Sequence, residues 1–261
     1  MKAVLHIIEY DFRNFFRYKW WLAGLISMNL ADLLIMAVVY NKIVNPDLFL
    51  GQLKSYFNFF APGVTVLGLF ASAFMIGREV NMEVRREIHH YMLSLPITRL
   101  ELAVGRLLAG GLRGMMYMTP LLLITFLFLG FPSPSQLLII LGALMLLATG
   151  ISGLSIAAAV SITSFEKFVT ARGLIYYVLF FCSSIFYPSS LIRTLGQDGL
   201  IPQPIVVLAE LNPLSSGADL IRSFLIGTPI FTLEMIRNLA IFSMIFSTTS
   251  TLAYVKIIER K

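Results

Sequence analysis

The chain is short of the residues that usually carry chemistry. Its 261 positions hold one cysteine and three histidines. The lone thiol, Cys182, lies inside an apolar run, which excludes a disulfide framework and a cysteine-based metal site. No Gly-x-Ser-x-Gly elbow is present, and no histidine falls in the long apolar runs to serve a Ser-His-carboxylate arrangement. A Gly-x-x-x-x-Gly-Lys-(Ser/Thr) phosphate loop is missing too, so any use of ATP calls for a hydrolysing subunit on a separate polypeptide. Charge is scarce at 13% of residues, against about a quarter in soluble domains. Hydrophobic residues make up 57%, and the mean hydropathy is +0.82. A chain of this size in water would still need a charged shell, so the composition reads as a polytopic, all-α membrane protein.

A bilayer core needs about 20 apolar residues per helix. Six stretches qualify: Trp20–Tyr40, Phe57–Gly77, Leu102–Leu129, Leu137–Ile162, Phe168–Tyr187 and Met235–Val255. The basic residues are distributed unequally between the connections. Lys2, Arg13, Arg17, Lys19, Arg78, Arg85, Arg86, Arg99, Arg106, Lys167, Arg172, Lys256, Arg260 and Lys261 fall on one side. The opposite side has only Lys42, Lys54, Arg193, Arg222 and Arg237, with Arg113 inside the third span. By the positive-inside rule both termini are expected in the cytoplasm of a multi-pass cell-membrane protein. The net charge of +6 is therefore read as topology and not as a nucleic-acid footprint.

Residues 1–19 suggest an interfacial helix, with Val4, Leu5, Ile8, Phe12, Phe15 and Phe16 on one side and His6, Glu9, Arg13 and Arg17 on the other. Glu9 and Asp11 interrupt it, which argues against a cleavable signal. Trp20 and Trp21 follow where an aromatic belt is expected. Gly110, Gly111, Gly114, Gly153, Ala157 and Ser161 give the third and fourth spans small faces for close helix packing. No linker or repeat divides the chain, so one membrane domain over 1–261 is expected.

The loop at 78–101 is the most charged part of the chain. Glu79, Glu83 and Glu87 recur every four residues among Arg85, Arg86, His89 and His90, and Glu83 can pair with Arg86 at i, i+3. A helix polar almost all round is either merely solvated or a grip for another protein. Glu87-x-x-His90 has metal-ligand spacing, but no second such pair exists, so an intramembrane metalloenzyme is a minor alternative. Asp32 lies midway along the first span, where a carboxylate costs roughly 2.5–3.5 kcal/mol on insertion scales. It calls for a cavity or a polar partner, and Arg113 is a candidate. An ion-coupled carrier working through Asp32 is a further alternative. Tyr176, Tyr177, Phe180, Phe181, Phe186 and Tyr187 crowd the fifth span as packing, belt or pathway.

Between Pro188 and Glu234 the chain is too broken by prolines to span, and short helices fit. Asn212 is an N-cap before Pro213, and Leu214, Ala218, Ile221 and Leu225 follow at helical spacing. This Asn-Pro-Leu start with Arg222 nine residues past the proline, together with Leu95-Pro96-Ile97-Thr98-Arg99 and Gly105-Arg106, resembles the ABC-2 type permeases of ATP-binding cassette transporters. The resemblance implies an elbow helix at 1–19, six spans, a cytoplasmic coupling loop at 78–101 and external helices within 188–234. It also implies a pathway formed by two copies, or by this chain and a close paralogue, above two ATPase subunits that bind ATP and Mg. The chain itself then holds no cofactor and does no covalent chemistry. Glu79, Glu83, Arg86, Glu87 and Arg99 become the residues expected to couple to the ATPase. Asp32, Tyr177, Phe181, Asn212, Pro213 and Arg222 are those expected at the pathway or its gate. The cargo, whether polysaccharide, lipid, peptide or hydrophobic drug, is left open.

Overall fold

The structure is a computed structural model and describes residues 2–17, 19–43, 56–162, 164–227 and 232–260. Among them the regular structure is entirely helical. The helices are α1 (Lys2–Arg17), α2 (Lys19–Ile43), α3 (Tyr56–Phe74), α4 (Ile76–Arg85), α5 (Ile88–Leu93) and α6 (Arg99–Leu129). They continue with α7 (Pro134–Ser161), α8 (Phe165–Phe181), α9 (Ser189–Gln197), α10 (Gln203–Leu211), α11 (Pro213–Leu225) and α12 (Thr232–Arg260). Four stretches among the described residues are long and apolar enough to cross a membrane: Tyr56–Arg85, Arg99–Leu129, Pro134–Ser161 and Leu233–Glu259. The predicted fifth span is shorter than expected, because α8 stops at Phe181 and not at Tyr187.

Local chemistry sets the element ends. Thr98 and Ser133 each build a reciprocal capping box, with Glu101 and Gln136 three residues on, so α6 and α7 start where their first N–H groups find acceptors. The change from α3 to α4 has an equally specific cause. Ser155 Oγ on α7 donates to the Phe74 carbonyl at 2.5 Å, and the Arg78 N–H moves to the Met75 carbonyl. A side chain inserted into the backbone ladder bends a helix at that turn.

Two apolar clusters are stacked along the bundle. The larger joins α3, α6, α7, α11 and α12 around Phe60, Phe70, Leu144, Leu147 and Leu220. The smaller joins Ile7 of α1, Val80 of α4, Leu102 of α6, Ile156 of α7 and Ile258 of α12. Between membrane helices no hydrophobic effect drives association, so close backbone approach supplies the packing. Gly153 shows how tight that approach is, since a Cβ there would meet the Phe246 carbonyl group and the Ser247 nitrogen of α12. Backbone cannot step aside as a flexible side chain can. Gly153→Ala is therefore expected to lower stability by about 1–3 kcal/mol. Gly142 of the same helix faces open space, and Gly142→Ala is expected to be neutral or slightly stabilising. Thermal unfolding of the two variants in detergent checks the contrast; equal melting temperatures would contradict the α7–α12 contact.

Candidate functional site

The charged segment, read as either a solvated helix or a grip for another protein, is half built into the bundle. Ile76, Gly77, Val80, Asn81 and Val84 of α4 are buried, so the helix is not polar all round. On this inner side Glu79 and Glu83 reach α6. Arg113 donates to both Glu79 oxygens, at 2.7 and 2.9 Å, and Arg106 pairs with Glu83. The Glu83–Arg86 pairing therefore gives way to Glu83–Arg106, because a buried guanidinium is the stronger partner.

Both guanidiniums also hold a third carboxylate. Asp11 of α1 accepts from Arg106 at 3.1 Å and lies 3.3 Å from Arg113. Arg113 packs over the Phe15 ring at 4.4 Å, and Arg106 over Tyr10 at 5.8 Å. Burial pushes the Asp11 carboxyl above its ordinary range, with Arg113 pulling against that shift and Glu79 adding to it. The face that α1 presents inward is thus Ile7, Asp11 and Phe15, while Leu5 and Phe16 of the expected apolar side are exposed. The expected Asp32–Arg113 pair is replaced, since Asp11 and Glu79 occupy Arg113. Three helices, α1, α4 and α6, are cross-linked by five ionic side chains.

The neighbouring charges are differently placed. Arg86 and Glu87 are exposed at the junction of α4 and α5, where Glu87 adopts a left-handed φ of 59°. That conformation puts Glu87 outside α5, so Glu87 and His90 do not share one helix face. Among the described residues no group of three or more His, Cys, Asp or Glu side chains is placed to hold a metal. Arg99, exposed at the first position of α6, approaches Glu259 of α12 at 3.5 Å.

A second ionic cluster surrounds α11. Asn212 caps it by accepting from the Leu214 N–H at 2.9 Å, and its amide donates to the Leu179 and Cys182 carbonyls at 2.8 and 2.7 Å. One side chain thereby starts α11 and closes α8, with Pro213 at the first helical position. Arg222 is fully buried. It donates to the carbonyls of Phe59, Ser184 and Ile185 and to Asp219 Oδ1, at 2.9, 2.8, 3.2 and 2.6 Å. Ser215 accepts from the Ser184 N–H, and Ser189 donates to Asp219. The expected amphipathic helix is buried on its polar side as well, where Ser215, Asp219 and Arg222 each have a partner. Asp32, Tyr177 and Phe181 are the exposed remainder of the expected set, on α2 and α8.

Two participants escaped the sequence reading. Asp11 had a signal, since it lies four residues from both Ile7 and Phe15 on one stripe. Asp219 had one as well, three residues before Arg222 in the same helix.

Apolar spanning helices, joined to each other by buried ionic clusters, define a polytopic α-helical membrane protein. Residues 2–226 match the ABC-2 type transporter family, and the chain belongs to it. It is a transporter's membrane permease. One similar protein is the daunorubicin resistance ABC transporter permease protein DrrB1 of Streptomyces coeruleorubidus. That protein is 25% identical over 209 residues, which cover 77% of this chain and 70% of the relative.

Proposed function

We propose that this chain is the pathway-forming subunit of an ATP-driven exporter in the cell membrane. Two copies of one membrane domain, or this chain and a close paralogue, enclose the route. Each supplies six spans, with α2 and α8 completing the four long ones, and keeps both termini in the cytoplasm. Two ATPase subunits on separate polypeptides bind ATP and Mg beneath. The α4–α5 segment is the coupling element, α1 the elbow, and α9 to α11 the external cap. The relative's name speaks of daunorubicin resistance, and we carry a small-molecule cargo over to this chain on that ground.

The observation that carries this reading is the ionic cluster between α1, α4 and α6. A force applied at the exposed Arg86–Glu87 corner reaches α4 directly. From there Glu79 and Glu83 transmit it to α6, and through Arg106 and Arg113 to Asp11 on α1. Packed elements of this kind move as one body rather than deforming gradually. ATP-driven closure then shifts the population between two states of the membrane dimer by differential binding. Glu79, Glu83, Arg86, Glu87 and Arg99 are assigned to coupling in this scheme. Asn212, Pro213 and Arg222 hold the external cap, while Asp32, Tyr177 and Phe181 face the route. An intramembrane carboxylate left exposed on α2 supports a partner copy or a cavity there, because lipid would leave it unsatisfied.

Affinity purification in mild detergent from the native membrane is expected to recover a stoichiometric subunit with a phosphate loop. Reversing the exposed corner, Arg86→Glu with Glu87→Lys, is expected to lose that subunit while the variant stays folded in the membrane. A chain that purifies alone in several detergents would overturn the proposal. The exposure of Asp32 supports an ion-coupled carrier as the second reading. Transport in ATP-free vesicles under an ion gradient would establish that reading instead.

A further inference from the structure

We propose that the seam between α4 and α8 binds the phosphate headgroup of an anionic phospholipid, held between Arg78 and Arg172. This goes beyond the exporter reading and stands without it, because the membrane supplies the ligand whatever drives the chain.

Contacts at two levels fix the seam. Arg172 of α8 donates to the Met75 sulfur at 3.0 Å and lies over the Phe74 ring at 5.5 Å, at the turn where α3 gives way to α4. Further along, Arg85 of α4 lies over the Phe165 ring of α8 at 5.1 Å. The two helices therefore pass each other antiparallel. Met75, Arg78, Met82 and Arg85 follow at spacings of three, four and three, which keeps them on one stripe of α4. Phe165, Val169 and Arg172 form the matching stripe of α8 by the same rule. Arg78 lies one turn from Met75, with its N–H on the Met75 carbonyl. It thus stands between the two levels, and its positive charge acts on that of Arg172.

No carboxylate among the described residues pairs with Arg78, Arg85 or Arg172. Glu79 and Glu83 of α4 are taken by Arg113 and Arg106, and Glu259 of α12 by Arg99. Glu166 follows Phe165 by one residue, about 100° round α8 from the stripe, and forms no ion pair. Asp32 of α2 forms none either. Arg172 is half-buried, and its Nε is shielded from solvent without a hydrogen-bond acceptor. The Met75 sulfur is a weak substitute. An unpaired guanidinium in apolar surroundings is costly, and an anion that reaches it removes the cost. Phe165 and Val169 are 41% and 48% exposed along the same stripe, so the approach to Arg172 is apolar. That suits a phosphate carrying acyl chains better than an acidic protein segment. Guanidiniums take phosphate oxygens in a two-pronged contact, and basic pockets between membrane helices recognise lipid headgroups.

Phosphatidylglycerol and phosphatidylcholine with identical acyl chains test the idea, because both carry a phosphate and only the first is an anion overall. Native mass spectrometry of the purified full chain in detergent micelles counts the lipid retained at each concentration. The wild-type chain is expected to hold phosphatidylglycerol at least about tenfold more tightly. Arg78→Gln with Arg172→Gln is expected to abolish that preference. Arg193→Gln with Arg237→Gln removes the same net charge from exposed sites elsewhere and is expected to keep it. Gel filtration of each variant checks that it is folded. Arg78 is exposed, so Arg78→Gln alone, expected to weaken the preference about threefold, serves if the first pair does not fold. A large excess of inorganic phosphate is expected to leave the lipid bound. Equal retention of the two lipids, a folded Arg78→Gln, Arg172→Gln chain that still prefers phosphatidylglycerol, or loss of the preference in the surface control would overturn the proposal. Displacement by inorganic phosphate would overturn the lipid and leave a site for free phosphate. Because no ATPase is present, the outcome is separate from that of the co-purification.

Discussion

Arg113→Met is expected to destabilise the folded chain by about 3–5 kcal/mol, read as a loss of resistance to denaturing detergent. Removing one partner of a buried ionic group leaves the others uncompensated, and that costs more than the group contributes when whole. Here Glu79 is left uncompensated, while Asp11 keeps only its contact with Arg106. Adding Glu79→Gln to Arg113→Met is expected to recover much of the loss, since a neutral amide tolerates the same place. Arg113→Lys should fall between, because an ammonium cannot reproduce the two-pronged contact with Glu79. Full stability in the Arg113→Met variant would show that the cluster does not hold α1 and α4 to α6. The cycle also separates stability from coupling. A folded double variant that fails to transport would place the lost function in the transmission of force.

Arg222→Lys is expected to be nearly as damaging as Arg222→Met, at roughly 3–5 kcal/mol. The guanidinium reaches the Phe59, Ser184 and Ile185 carbonyls and Asp219 in different directions, and three of these lie outside α11. A single ammonium cannot span that fork, so several buried acceptors lose their donors, each costing about 1–3 kcal/mol without being simply additive. The segment following α8 should then become cleavable by protease near Ser183–Phe186. Wild-type protection in both variants would contradict the assignment of Arg222 as the clamp between α3, α11 and that segment. Asn212→Ala should act in the same region but less strongly. It removes the cap of α11 and the donor to the Leu179 and Cys182 carbonyls, yet leaves no charge stranded.

Class, most spanning helices and the Asn212–Arg222 patch were legible in the sequence for physical reasons. Runs of apolar residues beyond the thickness of a bilayer have few alternatives, and Asn212-Pro213 announces a helix start through local hydrogen bonding and a fixed φ. The capping box of Thr98 with Glu101 is just as local, yet the reading of that stretch rested on its resemblance to the family alone. Where partners come from distant segments, the reading failed in direction. Glu79 and Glu83 recur every four residues, which a solvated helix and a helix clasped by two arginines satisfy equally. Only the packing of α6 against α4 distinguishes them. Asp11 and Arg106 are 95 positions apart, and no local rule relates them.

The sequence by itself determined that this chain lives in a membrane, that its helices carry small faces for close packing, and that it resembles an ABC-2 permease. These follow from composition and short-range spacing. Tertiary structure alone decided that α1, α4 and α6 share one ionic cluster, that Arg222 is a clamp, and that Asp32 stays open. Each depends on which buried charge finds its opposite first, since an unpaired ion inside the bundle is the costliest error the fold could contain.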